Sequence, residues 1–436
     1  MPPPISTAVC GPQVPGTRNP GPGINIAELN PCPLKACCNI YGNCGINEDF
    51  CDTSSARNKC ISNCGQQITN NQVPPKEFIR VGYFQAYNKE RPCLHMDVTQ
   101  VPNTFTHLHF AFADIVAGFE VSVSNIQEQF DKFVKITDKK RILSIGGASS
   151  STDPSRARIL RDTIDATNRE TVATNLANFV TEHNLDGLDL DYEFFEVQGL
   201  PSFNAADGLN LSQLLKALRA KLPNKILTIA VPASYYYLQH LPIRSISNVV
   251  DYIVYMTYDL HGQWDYGSPW ASSGCPAGNC LRSHVNMTET TTALAIITKS
   301  GVKANKIVVG VTSYGRSFRM TSPSCAGPMC TFTGPASGAT PGRCTTTPGI
   351  LANAEIKEIL ANNPDADATW DGFESDSNVL IFATQWVSYM DDTNKNNRIA
   401  RYKMNNFGGT VDWASLVSHL QQPEQFQLFK RPITPY

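Results

Sequence analysis

From residue 77 onward, short apolar runs alternate with amphipathic helical patterns. The runs lie at 80–87, 107–113, 141–146, 187–193, 226–232, 252–258, 307–314 and 409–413. Helical patterns lie between most of them, at 126–137, 169–183, 212–221, 288–300 and 395–405. Eight successive strand–helix units are typical of a closed parallel barrel rather than an open sheet. The predicted fold class is therefore α/β, with a (β/α)8 TIM barrel over residues 77–421.

An interruption separates the seventh and eighth predicted strands. Residues 317–386 carry turn signals, a helical pattern near 352–362 and three cysteines. Because barrels accept additions in the loops above their strands, we expect an inserted α+β lobe here. The last residues, 422–436, are too few for a domain and are predicted to form a C-terminal tail.

Cysteines concentrate at the start of the chain. Eight of the 14 lie within the first 64 residues: Cys10, Cys32, Cys37, Cys38, Cys44, Cys51, Cys60 and Cys64. Such density predicts a small disulfide-rich module, residues 1–65, ahead of a domain that is stable through its own core. Residues 66–76 are polar and contain two consecutive prolines, which indicates a linker.

Disulfides and charge together limit the compartment and the partners. Persistent disulfides require an oxidising environment, and the sequons at Asn210 and Asn286 agree with secretion. Met1 is followed by three prolines rather than a signal peptide, so we expect a secreted protein whose native start lies upstream. The net charge of -2 argues against a nucleic-acid partner. No apolar run approaches the ~20 residues of a membrane span, so we expect no membrane partner. We also expect a monomer.

The strongest chemical signal is the acidic segment at 186–193. Side chains alternate along a strand, so Asp189, Asp191 and Glu193 share one face and Leu188 and Leu190 the other. Three carboxylates inside a barrel repel one another, which raises at least one pKa and suits a general acid. The alternatives are an exposed acidic stripe and a calcium or magnesium site. Both are disfavoured because aliphatic residues alternate with the acids and no acidic partner converges on them; we expect no metal and no cofactor.

These residues resemble the signatures of the family-18 glycoside hydrolases, the substrate-assisted chitinases. Residues 186–193 match Asp-Gly-x-Asp-x-Asp-x-Glu, and residues 144–147 match Ser-x-Gly-Gly. The resemblance implies that Glu193 protonates the glycosidic oxygen and that Asp191 orients the substrate acetamido group. It also implies that Asp189 shares a proton with Asp191, with Ser144 and Tyr83 nearby. Tyr192 stands where the family usually has tryptophan; it faces outward by parity, so we expect an effect on packing alone.

Further segments match family positions around the cleft. Residues 256–259 match Met-x-Tyr-Asp, which implies that the Tyr258 hydroxyl positions the acetamido oxygen and that Asp259 binds sugar hydroxyls or tunes Glu193. The other substrate-binding residues implied by the resemblance are Phe112, Met256, Trp264, Tyr314, Arg316 and Trp413. His107 and His109 share one face of the second strand, but no other metal-ligating residue accompanies them, so we expect core packing or hydrogen bonding there.

Residues 273–286 resemble a narrower subgroup, the fungal killer-toxin-like chitinases. Cys275 and Cys280 are close enough in sequence to close one loop. The pairing of the other four barrel cysteines stays open at this point: Cys93, Cys325, Cys330 and Cys344.

The cysteine spacing of the N-terminal module resembles hevein-like chitin-binding modules. The resemblance implies four pairs, namely Cys10–Cys38, Cys32–Cys44, Cys37–Cys51 and Cys60–Cys64. Its binding residues correspond to Asn39, Tyr41, Asn43 and Phe50, so one stacking ring is missing. The alternative is a structural module with weak affinity for sugar.

The function predicted from the sequence is a secreted chitinase that cleaves β-1,4 bonds between N-acetylglucosamine units of chitin with retention of configuration. Its partners would be chitin and N-acetylglucosamine oligomers. The alternatives are a chitin-binding lectin on the same barrel, or a toxin component that uses chitin for docking. Lectins of this family usually lack the catalytic glutamate, whereas Glu193 is present.

Overall fold

A computed structural model describes residues 1–193 and 199–414 of the chain. Eight parallel strands form the barrel: β1 (Ile79–Gln85), β2 (His107–Ile115), β3 (Lys140–Gly146), β4 (Gly187–Asp191), β5 (Ile226–Pro232), β6 (Tyr252–Met256), β7 (Ile307–Thr312) and β8 (Gly409–Trp413). Each pairs with the next, and β8 pairs with β1, so the sheet closes. The predicted (β/α)8 barrel is confirmed. The predicted tail at 422–436 lies outside the described residues.

Four strands end earlier than the sequence predicts, and the first of them, β1, ends at Gln85 rather than at residue 87. β4 ends at Asp191, β6 at Met256 and β7 at Thr312. Glu193 and Tyr258 therefore follow their strands, and Tyr314 begins a strand of the inserted lobe. Apolar alternation continues past the last ladder hydrogen bond in each case, which is why the strands were predicted too long.

Helices cover the outside of the barrel, and short 3₁₀ turns connect several elements. The helices are Gln127–Phe133, Ala148–Thr152, Pro154–Asp162, Arg169–Glu182, Ala205–Lys221, Tyr235–Leu238, Ile243–Ser247, Met287–Lys299 and Asp392–Met404. The 3₁₀ turns are Ile26–Glu28, Pro33–Lys35, Asn88–Glu90, Val98–Gln100, Ala117–Phe119, Ser124–Ile126, Gln263–Asp265 and Ala304–Lys306. A short strand, Val121–Ser122, pairs antiparallel with the end of β2.

The two faces of the barrel strands bury different side chains. Leu188, Leu190 and Tyr192 of the acidic segment pack outward in the main core under the helices. The barrel interior contains a smaller apolar cluster that includes Tyr83, Tyr252 and Val254, while Asp189 and Asp191 are buried on the inward side. The face assignment made from strand alternation therefore holds for β4.

The lobe between β7 and β8 is a five-stranded antiparallel sheet with a helix, Asn353–Asn362, and a helical turn, Gly372–Ser375. In spatial order its strands are Ile350–Ala352, Tyr314–Arg319, Gln385–Tyr389, Asn378–Phe382 and Asp367–Trp370. The disulfide Cys93–Cys344 joins the lobe to the loop after β1. Cys275–Cys280 closes the loop that the sequence predicted. Cys325–Cys330 closes a second short loop and, with Cys93–Cys344, gives the pairing that the sequence left open.

The N-terminal module is a small three-stranded sheet with one helical turn. Its strands are Cys37–Asn39, Cys44–Gly45 and Cys60–Ser62, and its helix is Glu48–Cys51. The four disulfides are Cys10–Cys38, Cys32–Cys44, Cys37–Cys51 and Cys60–Cys64, the pairs that the hevein-like resemblance implied. All 14 cysteines of the chain are thus paired in seven disulfides.

The module packs directly on the barrel. Ile296, on the helix Met287–Lys299, is buried in one cluster with module residues that include Ala36 and Cys38. Lys299 Nζ donates to the carbonyl oxygens of Asn63 at 2.6 Å and Gly65 at 2.8 Å. The connecting segment is also bonded to the barrel: Ala304 donates its backbone N–H to the Asn70 carbonyl at 3.0 Å. The polar segment predicted as a linker therefore lies along the barrel surface.

A membrane-crossing helix is not found in the described ranges: each helix there is too short or too polar to span a bilayer.

Candidate active site

The barrel floor is organised around Asp189 on β4. Its Oδ2 accepts hydrogen bonds from Tyr83 Oη at 2.7 Å and Ser144 Oγ at 2.9 Å, and its Oδ1 accepts from Thr228 Oγ1 at 2.7 Å. His109 Nδ1 lies 3.2 Å from Oδ2. Burial raises the pKa of Asp189, but the charge of His109 and these hydrogen bonds outweigh burial and hold the pKa below its usual value. Because both oxygens already accept hydrogen bonds, Asp189 is poorly placed to hold a cation.

Residues 144–147, at the end of β3, pack closely against the acidic segment of β4. Gly147 donates its backbone N–H to the Asp191 carbonyl at 2.8 Å. A Cβ on Gly146 would lie 2.1 Å from that same carbonyl oxygen, and a Cβ on Gly147 would lie 2.5 Å from the Phe112 ring. Both glycines have φ in the left-handed region, at 112° and 78°. The two glycines thus allow the close approach that places Asp191 and Phe112 in the site.

Asp191 and Glu193 form the upper part of the acidic ladder. Burial, followed by the charges of Glu193 and Asp189, raises the pKa of Asp191 well above its usual value. Asp191 Oδ1 is buried and has no hydrogen-bond partner among the described residues. Burial, followed by the charge of Asp259, raises the pKa of Glu193 to about 8. Glu193 is therefore mostly protonated at neutral pH, the state that a general acid needs.

Tyr258 lies at the mouth of the barrel, two residues beyond the end of β6. Its side chain is buried, and after burial itself the charges of Asp191 and Glu193 are the main causes that raise its pKa well above the usual value. Its ring packs against Gly310 on β7, where a Cβ would lie 2.7 Å from ring atoms. The absence of a side chain at Gly310 therefore makes room for Tyr258 beside the acids.

Asp259 and Arg316 form an ion pair at the rim. Arg316 Nε donates to Asp259 Oδ1 at 2.8 Å and Nη2 donates to Oδ2 at 2.6 Å. Tyr314 Oη donates to the same Oδ1 at 2.5 Å. Burial raises the pKa of Asp259, but the Arg316 charge, with hydrogen bonds from His284 and Arg316, outweighs burial and holds the pKa well below its usual value. The Arg316 guanidinium also lies 4.8 Å from the centroid of the half-exposed Trp264 ring.

Aromatic rings lie at the ends of β1, β2 and β8. Trp413 stacks with Phe112 at a centroid distance of 5.7 Å and meets Tyr83 edge-on at 5.2 Å. Met256 is half-buried and packs against both the inner and the outer core. The structure thus brings the sequence-predicted barrel residues together at the carboxyl ends of the strands, where barrel active sites open.

Sequence reasoning missed two polar residues of this site, Thr228 and His284. Thr228 donates to Asp189 from β5. His284 is buried, and its Nδ1 accepts from the Asp259 backbone N–H at 3.4 Å. For His109 the sequence predicted core packing or hydrogen bonding but named no partner. The hydrogen bond is confirmed, and its partner is Tyr252 Oη. His109 lies two residues before Ala111 on β2, so strand alternation places both residues on the face toward the barrel interior.

The predicted sugar-binding residues of the module differ in exposure. Tyr41 is exposed, whereas Asn39 is buried and its Oδ1 accepts the backbone N–H groups of Tyr41 and Asn43, both at 3.0 Å. The Phe50 ring packs on Gly45, where a Cβ would lie 2.2 Å from it. Asn39 therefore shapes the turn that presents Tyr41.

Fold and site together define a glycoside hydrolase of the barrel type: a closed (β/α)8 barrel with a protonated glutamate above two buried aspartates at the end of one strand. Residues 79–415 match the family described as Glycosyl hydrolases family 18. The chain belongs to this family.

Individual proteins show the same relationship. The chain is 47% identical over 434 residues to the secreted chitinase LysM12 of Penicillium expansum, a match that covers 95% of this chain and 29% of that protein. It is 37% identical over 381 residues to the killer toxin subunits alpha/beta of Kluyveromyces lactis, covering 84% of this chain and 31% of that protein. The chain thus spans about a third of the length of these relatives.

Among solved structures, the Group IV chitinase of Ostrinia furnacalis superposes with a TM-score of 0.67 at 23% identity, over 78% of this chain and 94% of that one. At this level of identity the similarity concerns the fold.

Proposed function

We propose that the chain is a chitinase that hydrolyses β-1,4 bonds between N-acetylglucosamine units. The observation that carries this proposal is the ladder of Asp189, Asp191 and Glu193, in which the last acid has a pKa of about 8 and is available as a proton donor. The names of the Penicillium relatives agree with this activity. The presence of Glu193 disfavours a lectin.

The reaction would use the substrate as its own nucleophile. Ordinary retaining glycosidases place a second carboxylate across the sugar from the acid. Here Asp189 and Asp191 lie on β4, which leads directly to the acid, and Asp259 is held by Arg316 in a two-bond ion pair. The acetamido carbonyl oxygen of the substrate would therefore attack the anomeric carbon while Glu193 protonates the leaving oxygen. Asp191 would orient the acetamido group, Tyr258 would hydrogen-bond its oxygen, and Trp413 would support the sugar ring.

The remaining cleft residues would bind and shape the substrate. Phe112 and Trp264 offer ring faces to sugars, and Asp259, Tyr314 and Arg316 set the polarity of the rim. Tyr83 and Ser144 would act through Asp189. Met256 would line the cleft beside Tyr258.

The N-terminal module would add a second contact with chitin. Its exposed Tyr41 is the ring best placed to stack on a sugar, and the half-buried Phe50, which packs on Gly45, is the second ring of the set. With one ring missing from the hevein-like set, each lost contact would weaken binding by on the order of 1 kcal/mol. Tyr41→Ala should reduce retention on insoluble chitin and leave turnover of soluble oligomers unchanged; equal retention would refute the assignment.

The proposal keeps the predicted division of the chain. It has a module at 1–65, a connection at 66–76 and a catalytic region at 77–421 with an inserted lobe at 317–386. The monomeric state and secretion to the extracellular space also remain part of this proposal. Seven disulfides support an oxidising compartment.

The deciding experiment is hydrolysis of defined N-acetylglucosamine oligomers, with product anomers followed over time. Two displacements at one carbon give β-anomer first, and deacetylated or cellulose oligomers should resist cleavage. Initial α-anomer, or ready cleavage of a glucan without acetamido groups, would refute the mechanism.

A further inference from the structure

A buried histidine faces the acidic ladder from the neighbouring side of the barrel. His109 on β2 is fully buried. Its Nδ1 lies 3.2 Å from Asp189 Oδ2 and 3.4 Å from Ser144 Oγ, and its Nε2 lies 2.8 Å from Tyr252 Oη. Both ring nitrogens therefore have partners, one of which is a carboxylate.

In the part of the chain that the structure describes, the groups around His109 other than Asp189 carry no negative charge. Tyr83 meets its ring edge-on at 4.8 Å, and Tyr252 lies across the barrel from β6. His107, two residues earlier on β2, has a pKa lowered to about 4, chiefly by burial, so it is neutral at physiological pH. Among the described residues that face His109, Asp189 is thus the acid that pairs with it.

The contrast between the two aspartates follows from this pairing. Asp189 has four donors around two oxygens, whereas Asp191 Oδ1 is buried without a partner. A buried carboxylate without donors favours its protonated form, and a carboxylate with several donors favours its ionised form. Two neighbouring buried aspartates therefore hold their shared proton unequally.

We propose that His109 is a positioning residue that holds Asp189 as a carboxylate, so that the proton shared by the two aspartates resides on Asp191, next to Glu193. The inference rests on the proposed chitinase function and adds a residue to it. His109 does not touch the substrate; it acts through Asp189. The chemistry at the sugar remains that of Asp191, Glu193 and Tyr258.

The test is the pH dependence of H109Q. Glutamine removes the imidazole interaction that lowers the pKa of Asp189, while the burial that raises it remains, so the pKa of Asp189 rises. The acidic limb of kcat/KM should move upward by about one pH unit. His107→Gln is the matched control on the same strand and should leave the limb in place. A uniform loss of activity without a shift of the limb would mean that His109 is merely structural, and the proposal would fall.

Acid unfolding gives a second readout that does not need catalysis. An aspartate whose folded pKa is depressed stabilises the fold above its unfolded pKa, and this stability is lost as the pH falls through the folded pKa. Raising that pKa in H109Q should move the acid-unfolding midpoint to higher pH, relative to wild type and to His107→Gln. If the wild type fails to cleave the oligomers but this midpoint moves, the proposed function is wrong and the His109–Asp189 coupling stands.

Tyr252→Phe covers the case in which H109Q does not fold. It keeps the imidazole and removes the hydrogen-bond partner of Nε2, so the ring is held less firmly against Asp189. A smaller upward shift of the acidic limb and of the unfolding midpoint is expected. Unchanged values in Tyr252→Phe, together with a misfolded H109Q, would overturn the proposal.

Discussion

Replacing Glu193 with glutamine removes the ionisable proton of the side chain and keeps its size. With a pKa of about 8, Glu193 at pH 7 is protonated in roughly ten molecules for each ionised one. Glutamine has the shape and neutrality of that dominant form, so stability and oligomer binding should stay close to wild type. Loss of the general acid should lower kcat by about 10²–10⁴-fold, or roughly 3–5 kcal/mol in the barrier.

The assay is turnover of an N-acetylglucosamine tetramer, with binding measured by calorimetry on the same preparations. Glu182→Gln, an exposed glutamate at the end of a barrel helix, is the matched control and should behave as wild type. In the wild type, activity should fall above about pH 8, where Glu193 ionises. Turnover of Glu193→Gln within tenfold of wild type would refute the assignment of the acid.

Three further changes test the surroundings of the acid. Tyr258→Phe should lower kcat by about ten- to a thousandfold with intact folding, because it removes the hydrogen bond to the acetamido oxygen; unchanged kcat would contradict that role. Gly310→Ala should cost about 1–3 kcal/mol of stability and displace the Tyr258 ring, whereas Gly327→Ala, with nothing within 4 Å, should be neutral in thermal unfolding and turnover. Ile296→Asp should release the module, at a cost of about 2–5 kcal/mol, and make residues 66–76 sensitive to protease, whereas the exposed Leu209→Asp should not. Equal protease resistance in both would show that the docked arrangement does not depend on Ile296.

The sequence by itself determined the barrel and the inward face of the acids. Strand alternation has a period of two, so the placement of Asp189 and Asp191 opposite Leu188 and Leu190 needs only local information. The pairing of the module disulfides came instead from resemblance to a known cysteine spacing, and the structure has the same pairs.

The tertiary structure decided what meets the acids and what surrounds the barrel. His109, Thr228 and Ser144 reach Asp189 from three other strands. Ser144 and Thr228 are in register with Asp189, whereas His109 pairs with Ile142, so only the closed sheet brings all three to one carboxylate. Cys93 and Cys344 are separated by 251 residues, a contact that no local pattern encodes. The composition of 66–76 indicates a linker because its side chains are polar. Its backbone groups nevertheless form hydrogen bonds to the barrel. Ile296 is buried between the barrel and the module, and this contact holds the module and the connecting segment against the barrel surface.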